Sequence, residues 1–202
     1  MNNLFKLSFL VVIPFFLSFK GVNPTDKKLR VVIDAGHGGA DKGAEVEEVM
    51  EKEITAAISR KVKFLNGNKA IEIIVLRNSD QFISLSDRVD KINELKPDMV
   101  ISLHANFDED TTINGFEVFV GEKNIKNENS KEMAESLSNS TPKSLAKREV
   151  KETNFYILNN VECPAVLLEL GFLSNAQDRD YLTSQLGQQR IAEMILKNIE
   201  AK

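Results

Sequence analysis

Tryptophan is absent from this 202-residue chain, cysteine occurs once and histidine twice. The lone Cys163 can close no intrachain disulfide and cannot build a cysteine-rich metal cluster. Basic residues are also in deficit, 26 Lys and Arg against 30 Asp and Glu, so no positive field is available to gather nucleic acid. No Gly-x-Ser-x-Gly elbow is present to supply a serine nucleophile. The cluster Gly36-His-Gly-Gly39 lacks the Gly-Lys-Ser/Thr of a phosphate loop and the spacing of a dinucleotide fingerprint, which excludes nucleotide binding there. Cys163 precedes Pro164 at the entry to an apolar run and reads as a small buried thiol.

What is present is an ordinary folding composition, 42% hydrophobic and 28% charged, of a length that fits one domain. The amino terminus differs from the rest. Residues 1–20 hold five of the 12 phenylalanines and no acid. Lys6 is followed by an apolar run from about Leu7 to Phe19, shorter than the roughly 20 residues of a membrane span and interrupted by Pro14. This is expected to be a signal peptide, with membrane contact only if it stays uncleaved. Its loss removes Lys6 and Lys20 and takes the net charge from −4 to −6. Residues 21–28 read as a short polar linker and 29–202 as a single catalytic domain, exported to the periplasm or cell envelope and working as a monomer.

From residue 29 strand-like and helix-like blocks alternate, the pattern of an α/β domain with a mostly parallel or mixed six-stranded sheet flanked by helices. Strands are predicted at Leu29–Asp34, Ile71–Leu76, Asp98–Leu103, Gly115–Val120, Asn154–Leu158 and Ala165–Leu170. Helices are predicted from about Val49 to Leu65, from Ser84 (a capping-box-like start) to Pro97, and over Ser130–Ser138, Asp178–Leu186 and Gln188–Ile199.

Both histidines, His37 and His104, directly follow strands, so they are expected at the carboxyl edge of the sheet, where α/β folds collect ligands. Two imidazoles there make a candidate zinc site, and with no third histidine the third protein ligand must be a carboxylate. Among Glu45, Glu47, Glu48, Glu51 and Glu53, helix phase selects Glu51, three residues before Ile54 and seven before Ile58. Glu169 stands inside an apolar strand, where burial requires a partner or a function. It reads either as a structural ion pair, with Arg148 or Arg77, or as a general base.

Several segments carry a family resemblance: Val31-Val-Ile-Asp-Ala-Gly-His-Gly-Gly-Ala-Asp-Lys-Gly-Ala44, Glu51-Lys52, Leu85-Ser-Asp-Arg88, Ile101-Ser-Leu-His-Ala-Asn106, Gly115-Phe-Glu117 and Pro164-Ala-Val-Leu-Leu-Glu-Leu-Gly-Phe-Leu-Ser-Asn175. In order and spacing they resemble the zinc-dependent N-acetylmuramoyl-L-alanine amidases of bacterial cell walls, over roughly Leu29 to Ile199. The resemblance implies zinc held by His37, Glu51 and His104, with Glu169 as the catalytic carboxylate. It implies hydrolysis of the peptidoglycan amide between muramic acid and the L-alanine of the stem peptide, by a zinc-activated water. Asp34, Asn106 and Arg88 are candidates for supporting positions. The alternatives are a catalytically silent peptidoglycan-binding protein on the same fold and a zinc peptidase acting within the stem. In two places the chain departs from the family pattern. Glu45-Val-Glu-Glu-Val-Met50 lacks a glycine often found before the ligand glutamate. Gly121–Thr153 is too short for the inserted helix that plugs the site in division-associated relatives, so an open site is expected.

Overall fold

A computed structural model of the chain describes residues 27–202; the expected signal peptide and most of the linker lie outside them. The central sheet has the order β4-β1-β5-β8-β6-β7. Its left part, β4 (Ile71–Val75), β1 (Leu29–Ala35), β5 (Met99–Asn106) and β8 (Ala165–Phe172), is parallel. The strand β6 (Phe116–Gly121) pairs antiparallel with β8, and β7 (Lys147–Thr153) continues parallel to β6. The mixed six-stranded sheet is therefore as expected, but one strand is elsewhere. Asn154–Leu158, predicted as a strand, instead runs into the short helix α4 (Tyr156–Asn160), and the edge strand is the charged segment Lys147–Thr153. Ile157 and Leu158 are adjacent and both buried, which a half-buried strand with alternating faces does not allow. Lysines on an exposed edge are a usual device against edge-to-edge pairing.

Helices cover both faces. On one face lie α1 (Glu51–Leu65), α3 (Asn127–Asn139), α5 (Ala176–Thr183) and α6 (Gln185–Glu200), packed with Val31, Ile33, Ile101, Leu103, Leu168 and their neighbours. On the other lie α2 (Leu85–Leu95) and α4, packed with Val32, Val100, Ala165 and Leu167. Strand alternation produces both cores, since successive residues of β1, β5 and β8 face opposite ways. Fully enclosed side chains such as Ile33, Ile58 and Leu168 each contribute about 1.5–3 kcal/mol by leaving water.

Local chemistry sets the helix ends. The Ser84 hydroxyl accepts a hydrogen bond from the Asp87 amide, capping α2 as its sequence predicts. The helix closes at Lys96, whose left-handed φ of 47° turns the chain ahead of Pro97. Because the chain leaves β1 through α1 to β4 and returns through α2 to β5, a crevice opens between β1 and β5 at their carboxyl ends.

Candidate active site

The crevice receives the first histidine from the loop after β1. His37 has φ 58°, a left-handed conformation that costs a non-glycine residue about 1–3 kcal/mol and persists only where its surroundings impose it. Those surroundings are polar and buried. The Arg88 guanidinium donates to the carbonyls of Ala35 and His37 and pairs with Asp34, which also accepts from the Ser102 hydroxyl at 2.8 Å. Arg77 donates to the carbonyls of Ala35 and Gly36. Lys52 donates to the Gly39 carbonyl and to Asp80, whose carboxylate in turn accepts from the Gly39 amide. Asp34 and Arg88 thus brace the histidine loop, while Asn106 donates instead to Glu117.

Glu51 is the first residue of α1 and is buried. The chain reaches it through a hairpin, β2 (Glu45–Val46) and β3 (Val49–Met50), whose two turn residues Glu47 and Glu48 have φ of 50° and 67°. That turn favours Asn-Gly, so the glycine missing from the sequence is replaced by strained glutamates and the path to Glu51 survives. Arg179 of α5 holds the hairpin to the end of β8, donating to Glu47 and to the Leu173 carbonyl.

The structure brings His37, Glu51 and His104 together, with one ligand atom from each lying within 4.8 Å of the others. Glu51 Oε2 is 3.1 Å from His37 Nε2, and Oε1 is 2.8 Å from His104 Nδ1. Around an ion with bonds of about 2.0–2.1 Å, tetrahedral ligand atoms stand about 3.3 Å apart; the two carboxylate–imidazole approaches are near that spacing, and the three residues together could hold a metal ion. The amides of Ala44 and Ala105 also donate to Glu51, fixing its carboxylate. Two glycines make the approach possible: a Cβ on Gly36 would overlap the His104 ring, and one on Gly43 would overlap Glu51 and His37.

Electrostatics follow from these contacts. Burial opposes ionisation of Glu51, but hydrogen bonds and charge from His104 and His37 hold it well below the usual carboxylate range. Burial also disfavours charge on His37, yet Glu51 and then Asp41 overcome it and raise the imidazole to about 9. Asp41 accepts from His37 Nδ1 at 2.9 Å, the outer hydrogen bond that commonly orients a metal-binding imidazole. No role was assigned to Asp41 from sequence; an acid four residues past His37 in a glycine-rich loop was the available signal.

Glu169 sits in register beside His104 on the adjacent strand, so both side chains leave the same face. It pairs with neither Arg148 nor Arg77. Its Oε2 is buried without a hydrogen-bond partner among the described residues. Burial pushes the carboxyl up to about 7; His104 opposes that shift, and the charges of Glu51 and Glu117 add to it. A carboxyl poised near neutrality beside a metal-type donor set suits proton transfer. Beside it, Asp34, His37, Asp41, Phe82, Leu85 and His104 line a cleft of about 110 Å³.

The segment 121–153 forms α3 and β7, and α3 packs against the face of the sheet opposite His104 and Glu169, leaving the cleft uncovered by it. Residues 31–201 match the family model of N-acetylmuramoyl-L-alanine amidase. The chain belongs to that family. It is 34% identical to the Bacillus subtilis (strain 168) protein YqiI over 173 residues, 85% of this chain and 83% of that one. It is 32% identical to the N-acetylmuramoyl-L-alanine amidase LytC of the same strain, covering 82% of this chain but only 34% of LytC. The crystal structure of an N-acetylmuramoyl-L-alanine amidase from Clostridium difficile 630 superposes with a TM-score of 0.81 at 30% identity, over 87% of this chain and 96% of that one. The peptidoglycan amidase fold thus occupies nearly all the described residues. None of their helices is long and apolar enough to cross a membrane.

Proposed function

We propose that this amidase hydrolyses the amide between N-acetylmuramic acid and the L-alanine of the stem peptide with one zinc ion held by His37, Glu51 and His104, and with Glu169 as general base and acid. The observation that carries the reading is the juxtaposition at one sheet edge of a convergent His-Glu-His donor set and a half-buried carboxylate, one oxygen of which has no partner, in register with one of its ligands. Bound there, zinc supplies a Lewis acid that polarises the scissile carbonyl and makes water nucleophilic near neutral pH.

The chain's own residues do the rest. Asp41, Ala44 and Ala105 hold His37 and Glu51 in the orientation that presents their donor atoms. Glu169, ionised, accepts a proton from the attacking water and returns it to the alanine nitrogen as the C–N bond breaks. The export expectation from residues 1–20 fits an enzyme whose substrate lies outside the cytoplasm.

The test is mass spectrometry of products released from purified sacculi. The expected products are stem peptides with a free alanine amino terminus and glycan strands with free lactyl carboxyls, formed by the wild type and not by Glu169→Ala. Muramic acid to alanine bonds left intact overturn the amidase assignment, and cuts within the stem select the peptidase alternative.

A further inference from the structure

The row that begins at His104 does not stop at Glu169. Glu169 is the register partner of Glu117 on β6, and Glu117 is in turn bonded to β7, so a line of charged side chains crosses four strands. Glu117 had no role in the sequence reading, although a carboxylate between Phe116 and Val118 gives the same clue as Glu169. Its side chain is 3% exposed. Oε1 accepts from Arg148 Nε and from Lys151 Nζ, both at 2.8 Å, and Oε2 accepts from Asn106 Nδ2 at 3.2 Å.

One carboxylate is therefore matched to two cations, which leaves a surplus positive charge in an acidic protein. The anchor is buried but the cations are not, with Arg148 36% exposed and Lys151 46%. Each also lies over a ring, Arg148 5.5 Å from the Phe172 centroid and Lys151 5.9 Å from that of Phe119. A long cation fixed by a buried carboxylate and an aromatic face has already lost much of its rotamer freedom, so it binds an anion at lower entropic cost.

We propose that Arg148 and Lys151, locked in place by Glu117, form a subsite for a carboxylate of the stem peptide. This rests on the amidase reading. The scissile amide consumes the lactyl carboxyl of muramic acid, so the carboxylates still ionised in an uncleaved substrate belong to the peptide. Their strand stands two beyond that of Glu169, at most about 10 Å at about 4.8 Å per strand, and their charged ends reach back to Glu117 on the strand between. An extended peptide covers that span in about three residues at about 3.3–3.6 Å each. The subsite thus recognises an acid within the first three residues of the stem and orients the peptide across β8, β6 and β7.

Two probes separate this subsite from the reaction: N-acetylmuramoyl-L-alanyl-D-glutamate with both carboxyls free, and the same compound with both amidated. Calorimetric binding to zinc-loaded Glu169→Gln protein reads the subsite without turnover. The free acid is expected to bind about tenfold tighter at low salt. Adding Lys151→Gln should shrink that preference to about twofold, and Lys151→Arg should restore it. Equal affinity for the two compounds, no binding of the acid, or a preference that survives both Lys151→Gln and Arg148→Gln overturns the proposal. Circular dichroism checks that each variant is folded, and Lys151→Gln decides if Arg148→Gln is not, because Arg148 and Asn106 still hold Glu117 in the former. Cleavage of both probes by the wild type is read separately, so a failed amidase assignment and a failed subsite give different results.

Discussion

Glu51 and Glu169 flank His104 on opposite sides, and the fold surrounds them in opposite ways. Glu51 lies near His37, His104 and the amides of Ala44 and Ala105, and its charge is held on. Glu169 has an oxygen with no partner, and burial holds its charge off until about pH 7. On the proposed reading, the same residue type does two kinds of work, a fixed ligand and an exchanging proton carrier. The difference comes from the neighbourhood. The first sits where a helix start, a hairpin and a strand end deliver donors, and the second within a strand, between His104 and Glu117, where no donor reaches its Oε2.

The largest effect that could break this contrast is on turnover. Glu169→Gln should lower kcat by about 10²–10⁴-fold and leave about one zinc per chain, whereas Glu51→Gln should lose both activity and metal. Metal analysis beside stem-peptide release checks this, and equal metal loss in the two variants would erase the distinction.

Bracing of the ligand side comes next. Arg88→Ala leaves Asp34 buried and unpaired and frees the carbonyls of Ala35 and His37, so it should destabilise the fold by about 3–5 kcal/mol in denaturant unfolding.

Titration gives a smaller and opposite signature at Glu169. A carboxyl raised in the folded state binds more protons folded than unfolded, so it subtracts stability as pH rises from about 4.5 through about 7. Glu169→Gln should therefore raise the stability of the metal-free protein at pH 8 by about 3 kcal/mol, and have little effect at pH 4. In the wild type, kcat/KM should fall towards low pH as the base takes up its proton, since only the ionised form accepts one; a flat profile from pH 4 to 8 would contradict the assignment.

The smallest effect is in the hairpin. Replacing Glu48 by Gly relieves one left-handed glutamate while leaving the Glu47–Arg179 pair intact, and should stabilise the protein by about 1 kcal/mol, read as a rise of a few degrees in Tm.

Much of this arrangement was legible beforehand because the site is built where strong local signals end. His37 and His104 follow unmistakable β-branched strands, and Glu51 shares the apolar stripe of its helix, so periodicity alone located all three at one edge. Glu169 stood out as a carboxylate in an apolar run. The edge strand was missed because Lys147–Thr153 has a single apolar side chain, Val150, and its pairing depends on the neighbour β6. The aromatic and branched segment after it has strand-like composition, but tertiary packing on α2 and the sheet draws it into a helical turn. Asp41 and Glu117 were quoted in motifs yet given no task, because what they do depends on partners four residues and one strand away.

The clasp made by Arg179 joins the hairpin that carries one end of the donor set to the strand that carries the base. Parts linked in that way keep their separation when either is pushed. A crosslinked wall is a net that no lid can close around, so an enzyme feeding on it is best served by a rigid open rim onto which a strand can be threaded.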